Sequence, residues 1–311
     1  MPEPLISICI PAYRRVAYLE RLLHSIARQD HAPFEVVLTD DSPDDSVREL
    51  AGRFQDKLPL RYIKNPVALG TPENWNEGIR QARGTWIKVM HDDDWFATDT
   101  ALGVFGRAIV AHPEATFFFS AYQNVYEENG VIEPIWLGPA GRRRLERSPW
   151  YLLGANYIGN PSCTLFRKQE GLLFDPAFKW VVDFEFYIRY LDAFPRYRYL
   201  DEVLVNVGIN ATQVTNYTFG VTTVQVPENH LLLEKNGREH LKNLVVYDYF
   251  WRLYRNLGIR ETADIATAGY TAPLPQALPS MIRWQSRIPR AVLRFGPASK
   301  TLMFLHYLTH L

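Results

Sequence analysis

Short apolar runs alternate with helix-like stripes over the first 90 residues of the chain. Residues 5–10 are rich in isoleucine and predict a buried strand that Pro11 closes. Across residues 16–29, apolar residues recur at intervals of three and four, which predicts a helix lying on a sheet. Further strands are predicted at 34–39, 60–63 and 86–90, with a helix at 74–82. This order is typical of an α/β fold with a mainly parallel central sheet flanked by helices.

Polar residues follow the carboxyl ends of the predicted strands. Because ligands of open parallel sheets bind beyond these ends, the residues there are the first candidates for a site. They are Tyr13, Asp40, Asp41, Asp92 and Asp93. The pattern thus predicts an aromatic ring and two groups of carboxylates at one edge of the sheet.

The pattern loosens beyond Asp99. We predict a helix at 101–111, a strand at 116–121, a hairpin-like stretch at 125–135 and helical periodicity over 231–257. From Pro273 onward, prolines interrupt the tail. The predicted domains are therefore an α/β domain at 1–220 and a helical C-terminal extension at 221–311.

Composition narrows the class of protein. Of the 311 residues, 47% are hydrophobic and 22% are charged, which is the balance of a folded, soluble protein. Lys+Arg and Asp+Glu are equal at 34 each, so no overall charge attracts nucleic acid and we expect no nucleic-acid partner. An anionic ligand would have to be held by a local site.

The cysteines and the N-terminus bear on the compartment. Cys9 and Cys163 lie in apolar segments without CxxC spacing, which predicts buried free thiols and a reducing environment. The N-terminus lacks the pattern of a signal peptide, and no run approaches the ~20 apolar residues of a membrane span. We therefore expect a cytoplasmic protein that is neither secreted nor integral to the membrane.

Three consecutive carboxylates, Asp92, Asp93 and Asp94, follow the predicted strand at 86–90. Adjacent negative charges repel one another and resist burial, so the cluster indicates a cation partner. Oxygen ligands suit Mg²⁺ or Mn²⁺, which commonly use one or two protein carboxylates and leave other positions to water and diphosphate. The alternative is a solvated acidic turn that caps the next helix.

A second carboxylate pair, Asp40 and Asp41, follows the strand at 34–39. Such a carboxylate can accept hydrogen bonds from a nucleobase or from ribose hydroxyls. In the alternative interpretation, the pair forms an Asx-turn or a helix N-cap. The ring of Tyr13 either lies against a nucleobase or packs within the protein.

Several segments, read in order, resemble glycosyltransferase family 2, which has the GT-A fold. The resemblance covers about residues 5–215, and its order and spacing are specific. The segments are Ile6-Ser7-Ile8-Cys9-Ile10-Pro11-Ala12-Tyr13-Arg14-Arg15, Val36-Val37-Leu38-Thr39-Asp40-Asp41-Ser42, Asn74-Trp75-Asn76-Glu77-Gly78-Ile79, His91-Asp92-Asp93, Asn160-Pro161-Ser162-Cys163-Thr164-Leu165-Phe166-Arg167 and Val182-Asp183-Phe184-Glu185-Phe186.

The resemblance implies a nucleotide-binding half at 1–99 and an acceptor-binding half at 100–220. It implies that Asp93 binds the metal ion and that Asp92 lies near the ribose and the metal. His91 stands where the family usually has an acid. Its neutral imidazole could still bind the metal, but a hard Mg²⁺ ion prefers oxygen ligands, which favours a structural role for His91. Asp41 would contact the base of the nucleotide, and Tyr13 would stack on it. The donor-binding residues implied together are Pro11, Ala12, Tyr13, Arg14, Asp41, Asn76 and Asp92.

On the acceptor side, the resemblance implies that Asp183 is the general base, in a motif where Val182 replaces the usual glutamate. Glu185 is the alternative, because two positions along a helix turn a side chain by about 200° and only one of the two can face a cleft. Both could instead compensate the charge of a helix N-terminus. Asn160 and Glu185 are the acceptor-side candidates. The family often has a histidine on a loop near 206–216, where this sequence has Asn210 and Gln213 instead.

These parts predict an inverting glycosyltransferase that moves a sugar from a nucleotide-diphosphate sugar to an acceptor hydroxyl, assisted by Mn²⁺ or Mg²⁺. The metal would offset the charge that builds on the leaving diphosphate, while Asp183 accepts the proton of the acceptor in a single displacement. The expected acceptor is a glycan or a lipid-linked molecule, in the synthesis of a surface polysaccharide or glycan.

Two rival functions stay open. A nucleotidyltransferase would be expected to carry a Gly-rich loop with Lys or Arg after the first strand, whereas the loop here reads Pro-Ala-Tyr-Arg-Arg. The second rival is a sugar-nucleotide or glycan-binding protein without turnover. A dehydrogenase is disfavoured because no GxGxxG motif follows the first strand.

Basic residues recur in two places. In the tail at 282–311, arginines spaced by three and four accompany an apolar stripe, which suits peripheral contact with the inner face of the cytoplasmic membrane. Pro289 would kink or split such a helix, and the alternative is a helix packed on the catalytic domain. The run at 142–147 is either a solvated face or a contact for phosphate or membrane.

Overall fold

The computed structural model describes residues 6–30, 33–211 and 218–310, which form two compact units. The first comprises Met1–Arg142, Tyr157–Pro176 and Arg189–Gln213, and the second comprises Arg143–Asn156, Ala177–Ile188 and Val214–Leu311. The predicted domain boundary at residue 220 lies near the last of these junctions. Two earlier segments of the chain also belong to the second unit.

The strands of the first unit form one mixed sheet. They are β1 (Ile6–Ala12), β2 (Phe34–Asp40), β3 (Leu60–Lys64), β4 (Trp86–Val89), β5 (Trp95–Phe96), β6 (Phe117–Tyr126), β7 (Ile132–Ile135), β8 (Thr164–Arg167) and β9 (Tyr197–Ile209). Among the described residues the order is β3-β2-β1-β4-β8-β6-β9-β5, with β7 paired to β6. Strands β3, β2, β1 and β4 are parallel, whereas β8 runs antiparallel to both of its neighbours.

Helices alternate with the first strands of the sheet and make up most of the C-terminal part of the chain. They are α1 (Val16–Ala27), α2 (Ser46–Gly52), α3 (Glu73–Gln81), α4 (Ala101–Ala111), α5 (Pro139–Arg147), α6 (Val182–Ala193), α7 (Thr222–Asn236), α8 (Leu244–Leu257), α9 (Thr262–Thr267), α10 (Ala277–Ser286), α11 (Arg290–Arg294) and α12 (Gly296–Leu308). Short 3-10 helices lie at Pro149–Leu153, Pro161–Cys163 and Arg238–Lys242. The predicted α/β class is confirmed, as is the helical C-terminal region.

The core of the first unit lies where the predicted stripe of α1 meets the sheet. Leu19, Leu22, Leu23 and Ile26 are all buried, and burial of each such side chain contributes about 1.5–3 kcal/mol. Cys9 and Cys163 are buried free thiols, as predicted. The stripe therefore fixes α1 against the strands whose ends carry the polar residues.

The prediction that Pro11 ends the first strand is wrong. Strand β1 continues through Pro11 to Ala12, which pairs with Asp40 of β2. Pairing between β1 and β4 stops at Cys9, and the carbonyl of Ala12 faces β2, where it accepts the Asp41 N–H. Since neighbouring residues point to opposite sides, Pro11 faces the side where β4 has ended. Its missing N–H therefore leaves no ladder hydrogen bond unmade.

Two strands escaped the sequence pattern. Strand β5 has only two residues, too few for a periodicity to be visible. Strand β9 mixes charged and apolar residues, and its parallel pairing with β6 shifts register between Ser120 and Tyr122. The predicted hairpin at 125–135 is confirmed by the antiparallel pairing of β6 and β7.

The predicted helical stretch at 231–257 is two helices rather than one. Gly237 has φ 117°, a conformation that side chains disfavour, and it ends α7. A 3-10 turn follows, and Asn243 then caps α8 by accepting the Val245 N–H at 2.9 Å. Among the described residues, no helix combines the length and apolar character needed to cross a bilayer.

Candidate active site

The carboxylates that follow β4 are buried. Asp92, Asp93 and Asp94 are 3%, 6% and 1% exposed, respectively, so they do not form a solvated acidic turn. Burial raises the pKa of Asp92 to about 7, against the opposing effect of Arg15. Burial, and next the charge of Asp93, also raise the pKa of Asp94. Ionising these buried, adjacent carboxylates therefore costs free energy unless positive charge lies nearby.

Arg15 supplies positive charge to this cluster. Its guanidinium lies 2.7 Å from the Asp92 carboxylate and 2.8 Å from the Asp93 carboxylate. Arg15 stands directly before α1, in the loop that follows β1. Arg15 belongs to the first of the family-like motifs in the sequence, but no role was predicted for it. Its role could have been predicted because it is a basic residue in a strand-end loop, at the same edge of the sheet as three acidic residues.

Asp94 is held by polar groups from two distant segments. Asn160, a predicted acceptor-side residue, donates its side-chain N–H to Asp94 at 2.8 Å. The backbone N–H of Gly208 in β9 donates to the other Asp94 oxygen at 3.1 Å. The structure therefore places Asn160 beside the carboxylate cluster.

His91 lies at the same cluster. Its backbone N–H donates to the Ser162 hydroxyl at 2.9 Å, and its ring centroid is 4.7 Å from that of Trp75. Burial lowers the pKa of the imidazole to about 4, so the ring is neutral at pH 7. Its buried Nε2 has no hydrogen-bond partner among the described residues.

The side chains of His91, Asp93 and Asp94 could together hold a metal ion. Their potential ligand atoms lie within 4.8 Å of one another, near the ~4 Å that separates opposite ligands of one Mg²⁺ or Mn²⁺ ion. Two carboxylates suit these hard cations, and the neutral, unpartnered imidazole nitrogen offers a further donor. This donor set fits a divalent ion. It includes His91, for which the sequence favoured a structural role and left metal binding as the alternative.

A buried lysine lies behind this cluster. Lys88 of β4 donates from Nζ to the Ser162 carbonyl, and its ammonium is 5.1 Å from the Phe105 ring centroid. Burial lowers the pKa of Lys88 to about 7, while the nearby Asp94 opposes this shift. A lysine inside an apolar strand gave no signal for this placement in the sequence.

Asp40 and Asp41 differ in their surroundings. Asp40 accepts hydrogen bonds from the Ser42 N–H at 2.7 Å, the Tyr62 hydroxyl at 2.7 Å and Lys64 at 3.0 Å. These contacts make it an Asx-type structural residue, as the alternative interpretation proposed.

The Asp41 carboxylate joins a different pair of groups. It accepts the Asn65 side-chain N–H at 2.7 Å and the Gly70 N–H at 2.8 Å. Each carboxylate oxygen can accept a further hydrogen bond. Asp41 is therefore oriented by the protein and keeps acceptor capacity for a ligand.

The loop after β1 connects these groups. Tyr13 is 50% exposed, so its ring is not packed in the core, and the Arg14 guanidinium lies 5.1 Å from its centroid. The Tyr13 N–H donates a hydrogen bond to Asp92.

Arg14, the next residue of the loop, has φ 65°, which is rare outside glycine. Its N–H donates to the Ser42 hydroxyl at 2.8 Å. Pro11 is half-buried and Ala12 is buried just before this loop.

Both side-chain N–H groups of Asn76 are used within the protein. Its side-chain amide donates to Glu73 at 2.9 Å and to the Phe174 carbonyl at 2.7 Å, and its oxygen accepts the Phe174 N–H at 2.9 Å. If Asn76 contacts the sugar-nucleotide donor through its N–H groups, one of these two bonds must be released, whereas its oxygen can accept one further hydrogen bond. Asn76 links α3 to the segment around Phe174.

Asn210 also reaches the cluster. Its side-chain N–H donates to Asp93 at 3.0 Å, the same oxygen that Arg15 contacts. Asn210 lies directly after β9, in the loop region that the sequence analysis had singled out. Gln213, the other residue named there, lies outside the described residues.

Asp183 and Glu185 lie in the first turn of α6 and belong to the second unit. Burial raises the pKa of Asp183 to about 6, and its carboxylate accepts the Phe184 N–H at 2.9 Å. Glu185 is 1% exposed. Glu228 of α7 accepts the Trp180 and Val181 N–H groups at 2.7 and 3.2 Å, which fixes the backbone just before Asp183.

Most of these site residues lie in a part of the chain that matches a known protein family. The sequence model of glycosyl transferase family 2 matches residues 7–169, more than half of the chain. The chain belongs to glycosyl transferase family 2. The matched range contains the β1 loop, Asp41, the buried carboxylates and Asn160, but not Asp183.

Similar proteins come from several bacteria. An uncharacterized protein of Mycobacterium tuberculosis is 31% identical over 205 residues, covering 60% of this chain and 62% of the relative. An uncharacterized glycosyltransferase of Haemophilus influenzae is 28% identical over 193 residues, with the same shares. A glycosyl transferase of Escherichia coli whose name refers to colanic acid biosynthesis is 28% identical, covering 60% of this chain and 66% of its own. The chain thus spans about three fifths of the length of these relatives.

Solved structures identify the fold of this family 2 member as GT-A. S. aureus TarS, residues 1–349 in complex with UDP-GlcNAc, has a TM-score of 0.63 at 17% identity, covering 98% of this chain and 91% of that chain. A Pyrobaculum calidifontis mannosyltransferase in complex with GDP-Man and Mn2+ has a TM-score of 0.55 at 15% identity, covering 98% of this chain and 86% of its own. The predicted GT-A fold is confirmed.

Proposed function

We propose that this protein is an inverting glycosyltransferase that moves a sugar from a nucleotide-diphosphate sugar to an acceptor hydroxyl. The buried cluster of Asp92, Asp93 and Asp94 at the end of β4 carries this proposal. Family membership and the GT-A fold support it. The name of the E. coli relative supports a place in surface polysaccharide or glycan biosynthesis.

The donor would bind at the strand ends of the first unit. Asp41 is oriented by Asn65 and Gly70, so a free lone pair can accept an N–H from the nucleobase. Half-exposed Tyr13 offers its ring for stacking. The UDP-GlcNAc complex of TarS supports a nucleotide-sugar donor for this protein.

A Mn²⁺ or Mg²⁺ ion would be held by Asp93 and Asp94, with His91 as a further ligand. When bound, such an ion offsets the charge that develops on the leaving diphosphate. The Mn2+ complex of the P. calidifontis mannosyltransferase supports this part of the proposal. Arg15, which contacts Asp92 and Asp93, would carry positive charge beside the same phosphate groups.

Asp183 would act as the general base. Its raised pKa of about 6 leaves it ionised at pH 7 yet basic enough to take a proton, as this role requires. As the acceptor hydroxyl transfers its proton to Asp183, its oxygen attacks the anomeric carbon. The bond to the diphosphate oxygen breaks, and the nucleotide diphosphate leaves with the electron pair. One displacement inverts the anomeric configuration.

The C-terminal residues 282–311 would place the enzyme on the inner face of the cytoplasmic membrane, close to a lipid-linked or glycan acceptor. Pro289 separates α10 from α11, so the tail is split as predicted. Within the second unit, Met281, Leu293 and Met303 are buried. Other large apolar residues of this region are exposed, including Val292, Phe295, Phe304, Leu305 and Leu308. Apolar groups beside arginines suit an anionic membrane surface.

The test is turnover of a panel of UDP-, GDP- and dTDP-sugars with Mn²⁺ and candidate acceptors. We expect release of the nucleotide diphosphate together with a product of inverted anomeric configuration. Release of pyrophosphate would instead indicate a nucleotidyltransferase. Saturable sugar-nucleotide binding without release would indicate a binding protein.

A further inference from the structure

Four arginines line one cavity in the second unit. The cavity has a volume of about 250 Å³ and is lined by Arg255, Asn256, Leu257, Gly258, Arg260, Arg290, Leu293 and Arg294. Its lining contains no carboxylate, and none of the four arginines forms an ion pair within the described ranges. The cavity wall is therefore strongly positive.

Neutral groups position two of these arginines without removing their charge. Arg260 donates to the carbonyls of Gln285 at 2.9 Å and Ile288 at 3.1 Å, which caps the C-terminal end of α10. Arg255 donates to the Ser299 hydroxyl at 3.2 Å. Burial, and next the charge of Arg252, lower the pKa of Arg255. Positive charge is thus held in place at an electrostatic cost that a bound anion would offset.

The other two arginines are available for a ligand. Arg290 and Arg294 stand four positions apart on α11, so they project from the same face of this helix. In the described part of the chain, neither guanidinium has a hydrogen-bond or ion-pair partner. Guanidinium groups bind phosphate oxygens in a bidentate manner, which makes convergent arginines the usual phosphate recognition element.

We propose that this cavity binds a phosphate group through Arg290 and Arg294, with Arg255 and Arg260 supplying fixed positive charge. The phosphate belongs either to a lipid headgroup or to a soluble phosphate compound. Phe295 follows Arg294 directly in the sequence and is 63% exposed. The inference does not rest on the proposed sugar transfer.

Two matched double variants of the full chain test this site. Arg290→Gln/Arg294→Gln removes two charges from the cavity, and Arg283→Gln/Arg287→Gln removes two exposed charges that do not line it. Circular dichroism and thermal unfolding establish that both variants fold. Calorimetry in low-salt buffer measures binding of inorganic phosphate and pyrophosphate. Co-sedimentation measures binding to phosphatidylglycerol vesicles, with phosphatidylcholine vesicles for comparison.

For the probe that fills the site, we expect the cavity variant to lose at least about tenfold in affinity and at least about threefold more than the control variant, because direct charge-assisted hydrogen bonds outweigh screened surface charge. A selective loss with inorganic phosphate or pyrophosphate identifies a soluble ligand. A selective loss only with phosphatidylglycerol vesicles identifies a lipid headgroup. Equal effects of the two variants on every probe, or no binding of any probe, would overturn the proposal.

Discussion

The Arg15 guanidinium lies 2.8 Å from the Asp93 carboxylate, although 78 positions separate the two residues in the sequence. The same guanidinium contacts Asp92 at 2.7 Å. The acidic cluster was expected to need a divalent cation, and the protein itself supplies a first positive charge. Arg15 and a metal ion would therefore act on the same carboxylates.

We expect Arg15→Gln to destabilise the protein by about 2 kcal/mol in EDTA, because it leaves buried carboxylates without their cation. The loss is smaller than for a fully buried ion pair, because Arg15 is about a third exposed and solvent screens its charge. Saturating Mn²⁺ should raise the unfolding temperature of the variant more than that of the wild type. Thermal unfolding with and without Mn²⁺ measures both effects. Arg28→Gln, which removes an exposed pair with Asp99, is the control. The prediction would be contradicted if Arg15→Gln lowered stability no more than Arg28→Gln does, and if Mn²⁺ did not change that loss.

Asp93→Asn should abolish Mn²⁺-dependent binding of the sugar nucleotide, because the amide is a weaker ligand for a hard cation. Calorimetry with UDP- and GDP-sugars, with and without Mn²⁺, measures the coupling. Asp99→Asn alters an exposed carboxylate and should leave this coupling unchanged. Normal metal-dependent binding by the Asp93 variant would remove this residue from the metal site.

Asp183→Asn should lower the transfer rate by about 10²-fold or more and leave donor affinity nearly unchanged, as for loss of a general base. In the wild type, the rate should fall as pH drops through about 6, because protonated Asp183 cannot accept a proton. Single-turnover rates from pH 5 to 8 measure this profile. Asp192→Asn, an exposed change on the same helix, is the control. An equal loss of donor affinity in the Asp183 variant would argue against the base role.

The pH dependence of thermal unfolding shows whether the Asp183 carboxylate also has a structural role. The pKa of Asp183 in the folded protein, about 6, lies above its usual value of 3.8. Folding therefore disfavours ionisation, and this penalty grows from about pH 4 to pH 6 and stays constant above. The variant should unfold at a higher temperature than the wild type at pH 7.5, with a smaller difference at pH 4. A less stable variant at pH 7.5 would mean that the carboxylate has a structural role.

Gly208→Ala should disrupt the carboxylate cluster. A Cβ atom at Gly208 would lie 2.4 Å from the Asp93 carbonyl oxygen, a backbone atom that cannot move aside independently. The Gly208 N–H also holds Asp94. We expect a loss of about 1–3 kcal/mol in the free energy of unfolding and a tenfold or larger loss of Mn²⁺-dependent donor binding. Gly138→Ala, where a Cβ atom meets nothing within 4 Å, is the matched control. Equal stability and equal donor binding of the two variants would show that the close packing of Gly208 against Asp93 is not essential.

Sequence spacing predicted the basic tail but not the full set of arginines that line the cavity. The arginine spacing and Pro289 predicted a split basic segment, and the structure contains the separate helices α10 and α11. The cavity itself also requires Arg255 and Arg260, from α8 and the loop after it. No periodicity in the sequence relates those residues to Arg290 and Arg294.

Sequence alone determined the elements whose signal is local. The three-and-four spacing located α1, the apolar runs located β1 to β4, and strand-end position singled out Asp41, Asp92 and Asp93. These inferences succeed because helical and strand periods, and the direction of parallel strands, follow from neighbouring residues. The family motifs added the expected metal and base residues.

Tertiary structure decided which of these side chains meet. Asn210 reaches Asp93, and Gly208 and Asn160 reach Asp94, only because β9 and β8 return to the same sheet. Strand order also explains why β1 continues through Pro11, since β4 has already ended beside it. Such contacts depend on pairings between segments up to 117 positions apart, and side-chain periodicity within one segment carries no information about its partner.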